Sequence, residues 1–161
     1  LNDRAIGVIE SRSKPVDTWY LDLMLHRKYW SPERAYHHTA PGPQICAMRE
    51  ALRIIHEEGI EARVARHLKC GDMLKAGLTD LGIELFGDPA NRLSMLNCVM
   101  IPDGVDDATV RSRLLQEYRI EIAGGFGPLK GKGWRIGLMG YSASEKNVRY
   151  LLAALAKILD A

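Results

Sequence analysis

The sequence predicts an α+β fold with helices on one face of a mainly antiparallel sheet, and three observations point to it. From residue 60 onward the hydrophobic period alternates in the order helix, strand, strand, helix, strand, strand, helix. Residues 1–58, by contrast, show no sheet of their own. The chain has 161 residues, 47% of them hydrophobic, enough to bury the core of one domain, or of one domain with a piece of another. Residues 1–58 therefore read as the tail of a larger domain, and residues 59–161 as a small domain joined to it by the long helical region.

Residues 16–30 carry Trp19, Leu23, Leu25 and Trp30 at loosely helical intervals and predict a helix. Ser31-Pro32-Glu33-Arg34 is turn chemistry. Residues 35–43 form an ordered loop, because Pro41 and Pro43 each lack an N–H and push the preceding residue toward extended geometry. Over residues 44–58, Ile45, Met48, Leu52 and Ile55 recur at steps of three or four and share one helical face. Gly59 ends or kinks that helix. A second helical run follows, with Ile60, Val64, Leu68, Leu74, Leu78 and Leu81 as a buried stripe and Gly82 as its C-cap.

Beyond Gly82 the period changes to that of strands, at residues 83–86, 95–101, 120–122 and 134–138. Between the second and third strands lies a helix that opens near Asp106 and turns Val110, Leu114 and Tyr118 inward. The last helix opens on Ser142-Ala143-Ser144-Glu145, read as a capping box, with a stripe of Val148, Leu151, Leu152, Leu155 and Leu159.

Twenty-two Lys+Arg against twenty Asp+Glu leave a formal charge of +2 with no long block of either sign, which argues against a nucleic-acid or membrane-surface specialist. Cys46, Cys70 and Cys98 stand far apart and form neither a C-x-x-C pair nor an even-numbered disulfide framework, so a reducing compartment is expected: the cytoplasm, or an organelle if the source is eukaryotic. No apolar run approaches the roughly 20 residues of a spanning helix. The first residues do not resemble a signal peptide, and the missing initiator methionine suits a fragment or processed product.

Three segments carry candidate chemistry. Tyr36-His37-His38-Thr39 gathers hydroxyl and imidazole groups on a proline-rigidified loop. No H-E-x-x-H or Cys/His spacing supports zinc there, and neighbours on an extended loop are expected to point apart, so no metal is assigned. An oxyanion or cofactor contact suits the Tyr and Thr hydroxyls better, with an ordinary hydrogen-bonded loop as the plain alternative. Arg135 stands between Trp134 and Ile136 on an otherwise apolar strand, where a guanidinium has to be paired. Bidentate capture of a substrate carboxylate and a structural salt bridge are the two ways to pair it. The glycine-rich stretch from Gly124 to Gly133 fails the Walker pattern, because Phe126 stands five residues before Gly131 and Gly133 follows Lys132 where Ser or Thr is required. It reads as a flexible strand-to-strand loop. None of the three cysteines reads as a nucleophile.

Taken together, Trp19-Tyr20-Leu21-Asp22-Leu23, Tyr36-His37-His38-Thr39-Ala40-Pro41, Leu52 through Glu61, Ile120 through Gly127 and Trp134 through Gly140 resemble the class V aminotransferases of the alanine-glyoxylate and serine-glyoxylate (serine-pyruvate) type. The resemblance covers nearly the whole chain in the right order. It implies the C-terminal part of a fold-type-I pyridoxal-phosphate enzyme that works as a homodimer on small amino and 2-oxo acids. Residues 1–58 would end the large cofactor domain. By carry-over, Tyr36 and Thr39 would bind the pyridoxal 5'-phosphate phosphate group in the partner subunit's site, and Arg135 would bind the α-carboxylate. The family's Schiff-base lysine belongs to a segment upstream of the region matching Leu1; Lys14, Lys130 and Lys132 do not match its motif, so the catalytic lysine is not assigned in this chain. The activity implied is transfer of an amino group from alanine or serine to glyoxylate or pyruvate by the full-length protein, with the fragment alone inactive. Alternatives are another class V activity, such as a desulfurase, which wants a reactive loop cysteine, or a non-catalytic interaction module on the same scaffold.

Overall fold

The computed structural model describes residues 1–160 and divides into two units, Leu1–Ala51 and a second from Leu52 onward. Each is built by its own local signals.

The first unit contains α1 (Asp3–Glu10), a 3₁₀ turn at Trp19–Leu21, α2 (Leu23–Trp30) and the start of α3 (Gly42–Glu58). Helix α1 turns Ala5, Ile6 and Ile9 to one partly buried face, and the Asn2 side chain accepts from Ala5 N and caps it. The helix expected over residues 16–30 is shorter than predicted. Asp22 Oδ1 accepts from Met24 N at 2.9 Å and Leu25 N at 3.4 Å, so the N-cap falls at Asp22 and the helix proper starts at Leu23. Pro43 does not hold off α3 either. It lies in the first helical turn, where a missing N–H costs no intrahelical bond. The division between the units falls inside α3. Its predicted apolar face is mostly exposed: Ile45, Met48 and Leu52 lie open and only Ile55 is half-buried.

In the second unit α4 (Ile60–Asp80), α5 (Asp107–Tyr118) and α6 (Glu145–Leu159) accompany a three-stranded antiparallel sheet of order β1-β3-β2. The strands are β1 (Leu96–Met100), β2 (Ala123–Gly124) and β3 (Gly133–Gly137). In register, Cys98 lies opposite Arg135 and Val99 opposite Trp134 on one side of β3, while Ala123 and Gly124 face Arg135 and Trp134 on the other. Period-2 alternation sends Trp134 and Ile136 into the core with Val99, and Arg135 to the other face. The helices supply Leu74 and Leu78 from α4, Val110 and Leu114 from α5, and Val148, Leu151 and Leu155 from α6 to the same core. This is the α+β layer the sequence predicts.

The structure departs from four of these expectations. The α4 stripe splits, because Leu74 and Leu78 are fully buried while Ile60, Val64 and Leu68 are exposed. The six-residue step from Leu68 to Leu74 turns the helix by about 600°, leaving the two halves about 120° apart. His67, Cys70 and Gly71 continue the buried face instead. The strand expected at residues 120–122 pairs one step later, at Ala123–Gly124; Arg119 adopts left-handed geometry (φ 58°) and Ile120 N still closes on Leu114 O as part of the α5 C-terminus. Residues 83–86 make only a bridge, Leu85 opposite Val99. The cap of α6 is Ser144, whose Oγ accepts from Asn147 N, and not Ser142, which closes a 3₁₀ turn at Gly140–Ser142. Glu145 pairs with Lys69 rather than completing the box.

Two glycines mark close approaches. A Cβ on Gly77 would run into the Leu152 side chain of α6, and one on Gly125 would strike the Leu129 carbonyl across the β2–β3 connection. At the start of α4, Arg66 holds Glu58 (2.5 Å) and donates to the carbonyls of Gly140 (2.9 Å) and Ala143 (2.5 Å).

Candidate functional site

The loop between α2 and α3 places Tyr36 and Thr39 as a pair. Both are exposed, and the Tyr36 hydroxyl lies 3.1 Å from Thr39 Oγ1. Two O–H groups that close, each able to turn its proton outward, make a donor pair for one anionic group.

His37, between them, is 2% exposed and stacks on Trp19 with ring centroids 4.0 Å apart. Its Nε2 faces Trp19 O at 3.1 Å. A carbonyl only accepts, so in the neutral ring Nε2 carries the proton and Nδ1 is bare. Nδ1 of His38 stands 2.8 Å from that bare nitrogen and donates to it. The two neighbouring imidazoles therefore converge, against the expectation that they point apart: burial of His37 against Trp19 folds the loop back on itself. His26 of α2 joins them, with its ring 4.3 Å from His37 and 5.1 Å from His38, and its Nε2 at 2.7 Å from Tyr20 O. Burial, then the neighbouring His26 and His37, holds the His38 imidazole below its ordinary value. His26 was not singled out in the sequence, since nothing in its spacing links it to residues eleven and twelve positions on.

Arg135 occupies β3 in the second unit. It is exposed, so the expectation of a guanidinium sunk in an apolar strand is overturned by the alternation of β3, which buries its neighbours Trp134 and Ile136 and lifts Arg135 out. Its Nε donates to Gly124 O of β2 at 2.9 Å. Neither terminal nitrogen has a hydrogen-bond partner among the described residues. Of the two pairings weighed for it, the structural salt bridge is absent among those residues.

Beneath the strand, Asp107 accepts from Trp134 Nε1 (2.9 Å) and from Arg111 Nε (2.7 Å) and one terminal nitrogen (3.0 Å). The Arg111 hydrogen bond, helped by the Trp134 N–H and opposed by burial, holds the Asp107 carboxyl below its usual range. The glycine-rich connection from β2 to β3 contains a 3₁₀ turn at Gly127–Leu129. Cys46, Cys70 and Cys98 are all free thiols.

No family model matches the chain. The chain is 44% identical over 149 residues to an (S)-ureidoglycine–glyoxylate transaminase of Bacillus subtilis, covering 92% of this chain and 36% of that protein. It is 37% identical over 163 residues to an alanine–glyoxylate aminotransferase of Callithrix jacchus, covering 99% of this chain and 39% of that protein. Among solved structures, an alanine–glyoxylate aminotransferase from Nostoc sp. superposes with a TM-score of 0.92 at 45% identity, over 99% of this chain and 42% of that one. The chain thus spans about two-fifths of the length of the relatives it matches.

Proposed function

We infer, from a chain homologous in sequence and fold to the C-terminal part of the alanine–glyoxylate and ureidoglycine–glyoxylate aminotransferases, that it is the carboxylate- and phosphate-binding portion of a pyridoxal-phosphate transaminase. On this reading residues 1–58 end a large cofactor-binding domain and residues 59–161 form a small domain. The whole protein, as a homodimer in a reducing compartment such as the cytoplasm, moves an amino group from alanine or serine to glyoxylate or pyruvate.

The observation that carries the reading is the state of Arg135. Its Nε is occupied by Gly124 O, which fixes the plane of the guanidinium, while both terminal nitrogens lack partners among the described residues. Two parallel N–H donors match the two oxygens of a carboxylate, and every amino and 2-oxo acid in such a reaction carries one next to the reacting carbon. Holding that carboxylate orients the Cα–H bond, which is where positioning lowers the barrier.

The residues also fit the cofactor. The Tyr36 and Thr39 hydroxyls, 3.1 Å apart and exposed, are suited to hold its phosphate oxygens. When bound, pyridoxal 5'-phosphate supplies the electron sink for the carbon that loses its proton. No lysine of this chain is given the covalent role.

The test is a kinetic comparison, in the full-length protein, of Arg135→Ala with the parent over a panel of amino donors and with glyoxylate and pyruvate as acceptors. A loss shared by all carboxylate substrates and by both half-reactions is expected. Parental kinetics in the variant would remove the carboxylate role.

A further inference from the structure

The imidazole cluster of the first unit is not used by the reading above. We propose that His26, His37 and His38 form a three-histidine site for a borderline divalent transition-metal ion of the zinc type.

Each of the three rings offers a nitrogen, and these nitrogens lie within 4.8 Å of one another. Around a tetrahedral ion with metal–nitrogen bonds of about 2.0–2.1 Å, two ligand nitrogens stand roughly 3.3 Å apart. The 2.8 Å pair of His37 and His38 has to open by about half an ångström to reach that spacing. That is within the swing of a ring about its side-chain torsions.

Two of the rings are already held as ligands are held. Carbonyl oxygens of consecutive residues, Trp19 and Tyr20, take the Nε2–H of His37 and His26 at 3.1 and 2.7 Å. Fixing the proton on Nε2 leaves Nδ1 as the free lone pair of each ring, and a backbone carbonyl on the remote nitrogen is the usual outer support of a metal-bound histidine. His37 is further clamped by its Trp19 stack, and His38 by a stack on Tyr29 with centroids 5.1 Å apart. Without an ion, the proton on His38 Nδ1 fills the space between the two rings. On binding, that proton leaves Nδ1 and the ring takes one up at Nε2, so the exchange is a change of tautomer with no net charge moved onto the protein.

The group contains no carboxylate and no thiol. Three imidazoles favour zinc, copper or nickel over magnesium or calcium, which want oxygen. Three protein ligands leave a fourth position for water or an added ligand. Because His37 and His38 sit between Tyr36 and Thr39 in the chain, the ion would tie the two-hydroxyl loop to the Trp19–Leu21 turn and to α2.

The experiment uses the chain without a polyhistidine tag, stripped with chelator and titrated with Zn²⁺, bound metal being counted by mass spectrometry and cobalt substitution followed by visible absorption. The parent should take up one equivalent per chain. Its Co²⁺ form should show the intense bands of a four-coordinate nitrogen site, with no thiolate charge-transfer band from the free cysteines. His26→Gln and His38→Gln should each weaken binding at least about tenfold, while His56→Gln, on the exposed side of α3, should not. No stoichiometric uptake by the parent, weak six-coordinate cobalt bands, or parental affinity in either His26→Gln or His38→Gln would overturn the site. The cobalt spectrum of the parent keeps the test decisive if a variant fails to fold.

Discussion

Arg135 Nε donates to the carbonyl oxygen of Gly124 at 2.9 Å, so the guanidinium is anchored to the neighbouring strand while its terminal nitrogens have no hydrogen-bond partner among the described residues. Gly124 itself faces Trp134 in the β2–β3 register, and Trp134 is fixed from below by Asp107. A surface arginine is thereby held at a set height and plane above a buried tryptophan.

If the full-length protein is the transaminase proposed above, Arg135→Ala is expected to raise KM for amino and oxo acids by about 10²-fold, the scale of a lost charge-assisted bidentate pair. Arg135→Lys should recover only part of it, since an ammonium keeps the charge and loses the fork. Steady-state kinetics with a carboxylate-free amine as control substrate reads the difference; equal losses for the control would point to a folding defect instead.

The double variant Tyr36→Phe with Thr39→Val removes both hydroxyls of the 3.1 Å pair and keeps the shapes. Each hydroxyl is worth about 1 kcal/mol as a net hydrogen bond, so cofactor affinity in the full-length protein should fall roughly tenfold or more. Titration of cofactor against the apoprotein measures it, and parental affinity would disprove the phosphate assignment.

Glu58 makes stability acid-sensitive in a defined window. The Arg66 hydrogen bond, opposed by burial and joined by the Arg63 hydrogen bond and the charges of both guanidinium groups, brings its carboxyl from the ordinary 4.5 down to about 2. A depressed folded-state value means the stabilisation is complete above about 4.5 and is lost as pH falls toward 2. Thermal melts of Glu58→Gln should therefore fall below the parent at neutral pH and approach it near pH 2. A constant gap across that range would show that the ion pair contributes nothing pH-dependent.

Asp107→Ala is expected to cost about 1–3 kcal/mol, because the Trp134 N–H, on a fully buried ring, loses its acceptor. Trp134→Phe removes the donor together with the need for it and should suffer less from the same change at residue 107. Urea denaturation of the two singles and the double gives the coupling.

The second unit was legible in the sequence where a single rule decides the outcome. Asp106 caps α5, Gly82 takes the left-handed position after α4, and the alternation of β3 marks Trp134 and Ile136 as core. Legibility failed where two signals competed. Ile120 and Ile122 have the better strand chemistry, but pairing falls to the small Ala123 and Gly124, because the left-handed Arg119 keeps Ile120 bonded to the end of α5. Arg135 was expected to be buried because its neighbours are apolar, although period-2 geometry puts a residue and its neighbours on opposite faces. Tyr36 and Thr39 were visible from residue type and loop position, whereas the meeting of His26 with His37 and His38 depends on where α2 starts, and that is set by one side chain, Asp22.

At the crossing of α4 and α6, the absent side chain of Gly77 is what lets Leu152 sit down. Residue 77 gains bulk only if the Leu152 side chain shifts or shrinks, so the two positions are expected to be coupled. A library randomised at both should recover folded chains along one diagonal of combined volume, with the corners of that square empty. Bulk added at residue 77 alone would push on the seat of the last helix at Leu152.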